Sequence, residues 1–128
     1  MKKNLTVLAL LFTIFVFAQK TMQITSKKHI PAKGFHLKLK NIFDDSRCPE
    51  GVTCIWAGEV SATIEVYNDG KFIQEKRITF NAANRVDNIK WFENYFLEKI
   101  KGFGVKPYPK VGIKVRPKKQ YISIIFED

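Results

Sequence analysis

The sequence predicts a small all-β domain, an antiparallel β-sandwich or barrel. Three observations carry that reading. Apolar and polar residues alternate with a period of two in several short runs, the spacing of half-buried strands. Asn68-Asp69-Gly70 separates two of those runs, and Asp-Gly supplies the positive φ values that a type I′ hairpin turn requires. Turn residues divide the chain after residue 18 into six or more short segments rich in Phe, Ile, Val and Tyr. The alternative is an α+β arrangement with a helix over residues 89–100.

Each element follows from its own pattern. Residues 21–28 are polar and mixed, suited to a short edge strand. Pro31 and Gly34 punctuate the chain, and then Phe35, Leu37 and Leu39 alternate with His36, Lys38 and Lys40. Ile42 and Phe43 break that alternation before the turn residues Asp44, Asp45 and Ser46. Val60, Ala62, Ile64 and Val66 alternate with Ser61, Thr63 and Glu65, the clearest strand in the chain. Its return partner is residues 71–80, with an irregularity expected around 74–76. Residues 81–88 read as loop.

Residues 89–100 carry two conflicting signals. Ile89, Phe92, Phe96 and Ile100 have helical spacing and Gly102 follows as a stop. The density of aromatics favours strand, and strand is preferred here for residues 95–101. Pro107 and Pro109 impose an extended connector. Val111, Ile113 and Val115 alternate again, residues 117–119 turn the chain, and residues 121–126 form a final buried strand.

The chain has 128 residues and a net charge of +10. It opens with Lys2 and Lys3, then a charge-free apolar run over residues 5–18, with Val16 and Ala18 suited to cleavage after Ala18. That is the three-part pattern of a secretion signal. The run of 14 residues falls short of the roughly 20 that a membrane span needs. The expected organisation is therefore a signal at 1–18 and one exported domain at 19–128, secreted or held in the periplasm or cell envelope. No transmembrane span is expected after cleavage, and no Cys follows the apolar run to carry a lipid. The 22 basic side chains less Lys2 and Lys3, against 12 acidic ones, leave the mature domain at +8.

Cys48 and Cys54 are the two cysteines, and in an exported chain they are expected to pair. A loop this short constrains the unfolded chain by only about 2 kcal/mol, so the bridge reads as a local clamp. C-x-x-C spacing is absent, which argues against a redox pair. The stretch from Asp45 to Gly58 is a built loop: Pro49 and Gly51 bend it, Asp45 is placed to bond the turn backbone or Arg47, and Gly58 allows close approach. Trp56 is expected over the disulfide or under the loop.

This stretch resembles a family of small exported bacterial proteins, many of them lipoproteins, marked by D-S-R-C-P-x-x-V-x-C-x-W-A-G. All the fixed positions stand between Asp45 and Gly58. Residues 35–39, 105–109 and the strand beginning at Tyr121 resemble the family more weakly. The resemblance implies an exported, mostly β domain. It implies no activity, and no catalytic or binding residue is carried over.

No enzyme is expected. His29 and His36 are the only histidines, both among lysines. No nucleophile elbow, zinc-protease helix or phosphate-cradling loop is present. Asp44, Asp45, Glu50 and Glu59 cluster in sequence but match no known cation site, so no metal and no cofactor are expected. Two binding readings remain. One is a protein-interaction loop anchored by Arg47, Pro49, Val52 and Trp56, in one version an inhibitor-like loop presenting Arg47 to a protease. The other is a basic surface for anionic lipid or polysaccharide, from Lys99, Lys101, Lys106, Lys110, Lys114, Arg116, Lys118 and Lys119, a stretch without one acid. Export and the absence of a recognition motif argue against nucleic acid. A small-ligand pocket inside an aromatic-rich barrel stays in reserve.

Overall fold

The computed structural model describes residues 19–128; the expected secretion signal, at 1–18, lies outside the described residues. Six strands form two three-stranded antiparallel sheets that share one core. One sheet has the order β1-β6-β5, from Thr21–Ile24, Tyr121–Phe126 and Ile100–Lys106. The other has the order β2-β3-β4, from Phe35–Phe43, Val60–Asn68 and Lys71–Phe80. The Leu39 amide donates to the Thr25 carbonyl at 2.9 Å and links the two sheets. This is the sandwich-like all-β class that the alternating runs predict.

The period-two rule accounts for the core. Leu37 and Leu39 of β2, Val60, Ala62, Ile64 and Val66 of β3, and Ile122, Ile124 and Phe126 of β6 all point inward and are buried. Ser61 and Thr63 are buried on the opposite face of β3, and Ser61 Oγ and Thr79 Oγ1 lie 2.9 Å apart in a hydrogen bond. Lys38–Glu65 and Lys40–Glu75 ion pairs line that outer face.

Two irregularities are β-bulges. The break near Ile42 arises because the β2–β3 register shifts between Leu39 and Asn41, leaving Lys40 as the extra residue. The irregularity expected at 74–76 falls just before those residues: the β3–β4 register shifts between Phe72 and Gln74, leaving Ile73 as the extra residue. Asp69 and Gly70 both take positive φ in the hairpin, as expected.

Residues 81–101 differ from the sequence reading. A single helix, α1, spans Arg85–Glu93, so it begins inside the expected loop and ends well before residue 100. Neither the preferred strand over 95–101 nor the alternative helix over 89–100 forms as such; β5 starts only at Ile100. Local side chains explain the early start. Asn81 Oδ1 accepts from the Asn84 amide at 2.8 Å, and the Asn88 side chain donates to the Thr79 carbonyl at 2.9 Å. The end is set by packing. Phe92 is fully buried, with ring centroids 6.4 Å from Phe80 and 5.8 Å from Phe103. Phe96 leaves the helix line to pack edge-on against Phe126 at 5.6 Å. The run at Val111, Ile113 and Val115 also fails as a strand: it lies outside both sheets.

β5 is an edge strand, and two arginines bond its backbone. Arg85 Nη2 donates to the Lys101 carbonyl at 3.3 Å, and Arg47 Nη1 donates to the Val105 carbonyl at 2.6 Å. No helix among the described residues is long and apolar enough to cross a membrane.

Candidate functional site

The site is built on the long connection between β2 and β3, residues 44–59. Its base is closed by backbone and hydroxyl together. The Ser46 amide donates to the Glu59 carbonyl at 2.8 Å, and the Glu59 amide donates to Ser46 Oγ at 3.1 Å. Gly58 makes this closure possible. Its φ is +72°, and a Cβ there would lie 2.8 Å from Arg47 Cα and closer still to the Ser46 carbonyl.

Cys48 and Cys54 are bridged, with Cα atoms 5.9 Å apart. Inside the ring the Val52 amide donates to the Pro49 carbonyl at 3.4 Å, with Gly51 at φ +83° completing the turn. Asp45 holds Arg47 through a fork: Nε to Oδ1 at 2.9 Å and Nη2 to Oδ2 at 2.8 Å. The Arg47 amide donates to Asp45 Oδ1 as well, at 3.2 Å. These bonds, led by the side-chain one, hold the Asp45 carboxyl below its usual range despite partial burial.

A second loop flanks the first. Residues 107–116 leave β5 and run beside the disulfide ring. The Glu50 amide donates to the Pro109 carbonyl at 2.9 Å, Glu50 and Lys110 form a parallel bridge, and their side chains pair at 3.7 Å. The Arg47 guanidinium lies over the Tyr108 ring at 5.1 Å. The two loops are thus fastened at Glu50 and at Arg47.

The expected loop residues separate into two groups. Arg47 turns inward, its side chain 12% exposed and its donors taken by Asp45 and Val105. It is not the outward side chain that an inhibitor-like loop would present. Pro49 is half-buried at the turn. Val52 and Trp56 face solvent. Trp56 is 59% exposed, which rules out the second of its two expected positions, buried under the loop. The sequence reading passed over Ile55, which is 97% exposed and stands beside Trp56. The neighbouring loop adds Val111 and Ile113, 63% and 62% exposed. Their spacing is that of a strand, and only the structure shows that no sheet takes them up.

The eight basic residues are spread over β5, the second loop and the turn at 117–119. Lys99 and Lys101 stand at the start of β5, and Lys106 is at its far end, about 17 Å along the strand from Lys101. Lys114, Arg116 and Lys119 converge instead. With Pro107, Ile113 and Val115 they line an open hollow of about 430 Å³ beside the second loop. Lys118 is exposed on the 3₁₀ turn Pro117–Lys119 and lines a separate, smaller hollow of about 190 Å³ with Leu39 and Ile42. Lys110 pairs with Glu50.

The remaining titratable candidates stay apart. His36 lies on the outer face of β2, its pKa lowered by partial burial and then by the charges of His29 and Lys38. Asp44 caps the turn after β2 with φ +51°, and Glu59 accepts from Asn81 at 2.9 Å. Among the described residues, no three His, Cys, Asp or Glu side chains gather to hold a metal ion. No family model, curated protein or solved structure matches this chain.

Proposed function

We infer that this chain is an exported, non-catalytic binding protein of the cell envelope, and that its contact surface is the exposed apolar part of the disulfide loop, residues 44–59. One observation carries the reading. Ile55 and Trp56 stand in solvent on a loop whose polar groups are bonded to one another and to its neighbour. A flexible loop exposing these side chains would bury them locally at little cost. A loop held at Ser46, Arg47, Cys48 and Glu50 keeps them out, and a preordered apolar surface loses little entropy on binding. Aromatic side chains of this kind anchor interfaces. The leader pattern and the resemblance to exported proteins support the envelope address. Arg47 serves here as a positioning residue.

The test is site-specific photo-cross-linking in intact native cells. A photoreactive residue at Ile55 is expected to give a defined adduct, and one at Glu75 on the ion-paired face of the β2-β3-β4 sheet is not. Equal labelling from both sites would overturn the loop as the contact surface.

A further inference from the structure

The contacts at Glu50–Lys110 and Arg47–Tyr108 fasten a loop with exposed apolar side chains to a loop that lines a basic hollow. Ile55 and Trp56 project from one loop and Ile113 from the other. Ile113 also lines the hollow where Lys114, Arg116 and Lys119 converge. Among the described residues, none of those three cations has a carboxylate within ion-pairing distance. No acid occurs anywhere in residues 99–119 to neutralise them.

We propose that the paired loops dock the protein on an anionic lipid surface, headgroup phosphates entering between Lys114, Arg116 and Lys119 while Ile55, Trp56 and Ile113 enter the acyl boundary. This rests on the reading of the disulfide loop as the contact surface and names its partner. Charge complementarity selects the class: three unpaired cations around an open hollow match phosphate. The apolar residues select lipid over a soluble polyanion. Polysaccharide or nucleic acid would meet the cations but leave Ile55 and Ile113 in water, whereas a bilayer takes both chemistries at once. Trp is suited to the headgroup level, where its ring meets apolar and polar surroundings together. Shallow insertion of this kind needs no membrane-spanning element.

The purified protein is mixed with vesicles of equal parts phosphatidylglycerol and phosphatidylcholine, or of phosphatidylcholine alone, and sedimented. Binding to the mixed vesicles is expected, weakening with added salt. The triple variant Lys114→Gln, Arg116→Gln, Lys119→Gln should weaken it at least tenfold, at roughly fivefold per charge for ideal placement. Trp91→Phe leaves Trp56 as the sole tryptophan, and its emission should shift to the blue on the mixed vesicles. Salt titration of the unmodified protein reads the charge dependence without any variant. Absence of binding, or equal binding to both vesicles, overturns the proposal. So does unshifted Trp56 emission, or heparin binding as tight as vesicle binding and unaffected by Ile55→Ser. If cross-links from Ile55 reach a protein while vesicles are not bound, the lipid assignment fails and the loop reading stands. If neither occurs, both fail.

Discussion

Arg47 Nη1 donates to the backbone carbonyl of Val105 at 2.6 Å, across 58 residues of sequence. That bond fixes the disulfide loop to the edge of the other sheet. The same guanidinium lies over Tyr108 and is gripped by Asp45, so one side chain joins β5, the second loop and the disulfide ring. Arg47→Ala should cost about 2–3 kcal/mol, because it removes charged hydrogen bonds and orphans a carbonyl on a buried residue. Arg47→Lys should recover less than half of that, since an ammonium cannot form the fork. Urea denaturation of both variants measures the difference.

Asp45 gives the loop a pH dependence with a definite sign. Its folded pKa lies below the unfolded value of 3.8, so its ionised form stabilises the fold. That stabilisation is complete above the unfolded value and is lost as pH falls through the folded one. Asp45→Asn should be about 1 kcal/mol less stable than the parent at pH 7, with the exposed part of the pair screened by solvent. The gap should narrow as the pH falls below 3.8. Urea midpoints for the two proteins, compared from pH 7 downward past that value, test it.

The two loop glycines should respond differently to alanine. Gly58→Ala combines left-handed backbone with a clash against Ser46 and Arg47, and should cost about 2–4 kcal/mol. Gly51 has φ +83° but open space around it, so Gly51→Ala should cost only about 1 kcal/mol. Thermal melting of the pair separates close approach from backbone strain.

Removing the bridge should leave the sheets intact. The Cys48→Ser, Cys54→Ser variant is expected to lose about 2 kcal/mol and to keep its far-ultraviolet circular dichroism. The ties at Ser46, Arg47 and Glu50 remain, so the change should be confined to the turn at Pro49–Val52. Limited proteolysis should then cut within residues 49–53 and spare the strands.

The strands were legible because their side chains obey one short rule. β3 alternates apolar and polar residues from Val60 to Val66, and its hairpin is written in Asp69 and Gly70. The Asp45–Arg47 pairing and the role of Gly58 were legible too, because they join residues close in sequence. Other features depend on contacts made over distance. Helix α1 starts at Arg85 where the Asn88 side chain reaches back to the Thr79 carbonyl, and it stops because Phe96 is taken by Phe126. The alternation of Val111 and Ile113 states a potential for strand, but only sheet pairing realises it. The inward turn of Arg47 depends on a carbonyl 58 residues away, so a local reading places that side chain outward.

Arg47 and Arg85 have a further effect through the carbonyls they occupy. Val105 and Lys101 are four residues apart on the outer edge of β5, and each carbonyl is filled by a guanidinium. An incoming strand from a second copy would have to displace a guanidinium to bond either carbonyl. The charges that position the loop therefore also guard a sheet margin against templated self-assembly, a protection suited to a β-rich chain that folds with its edges open to neighbours.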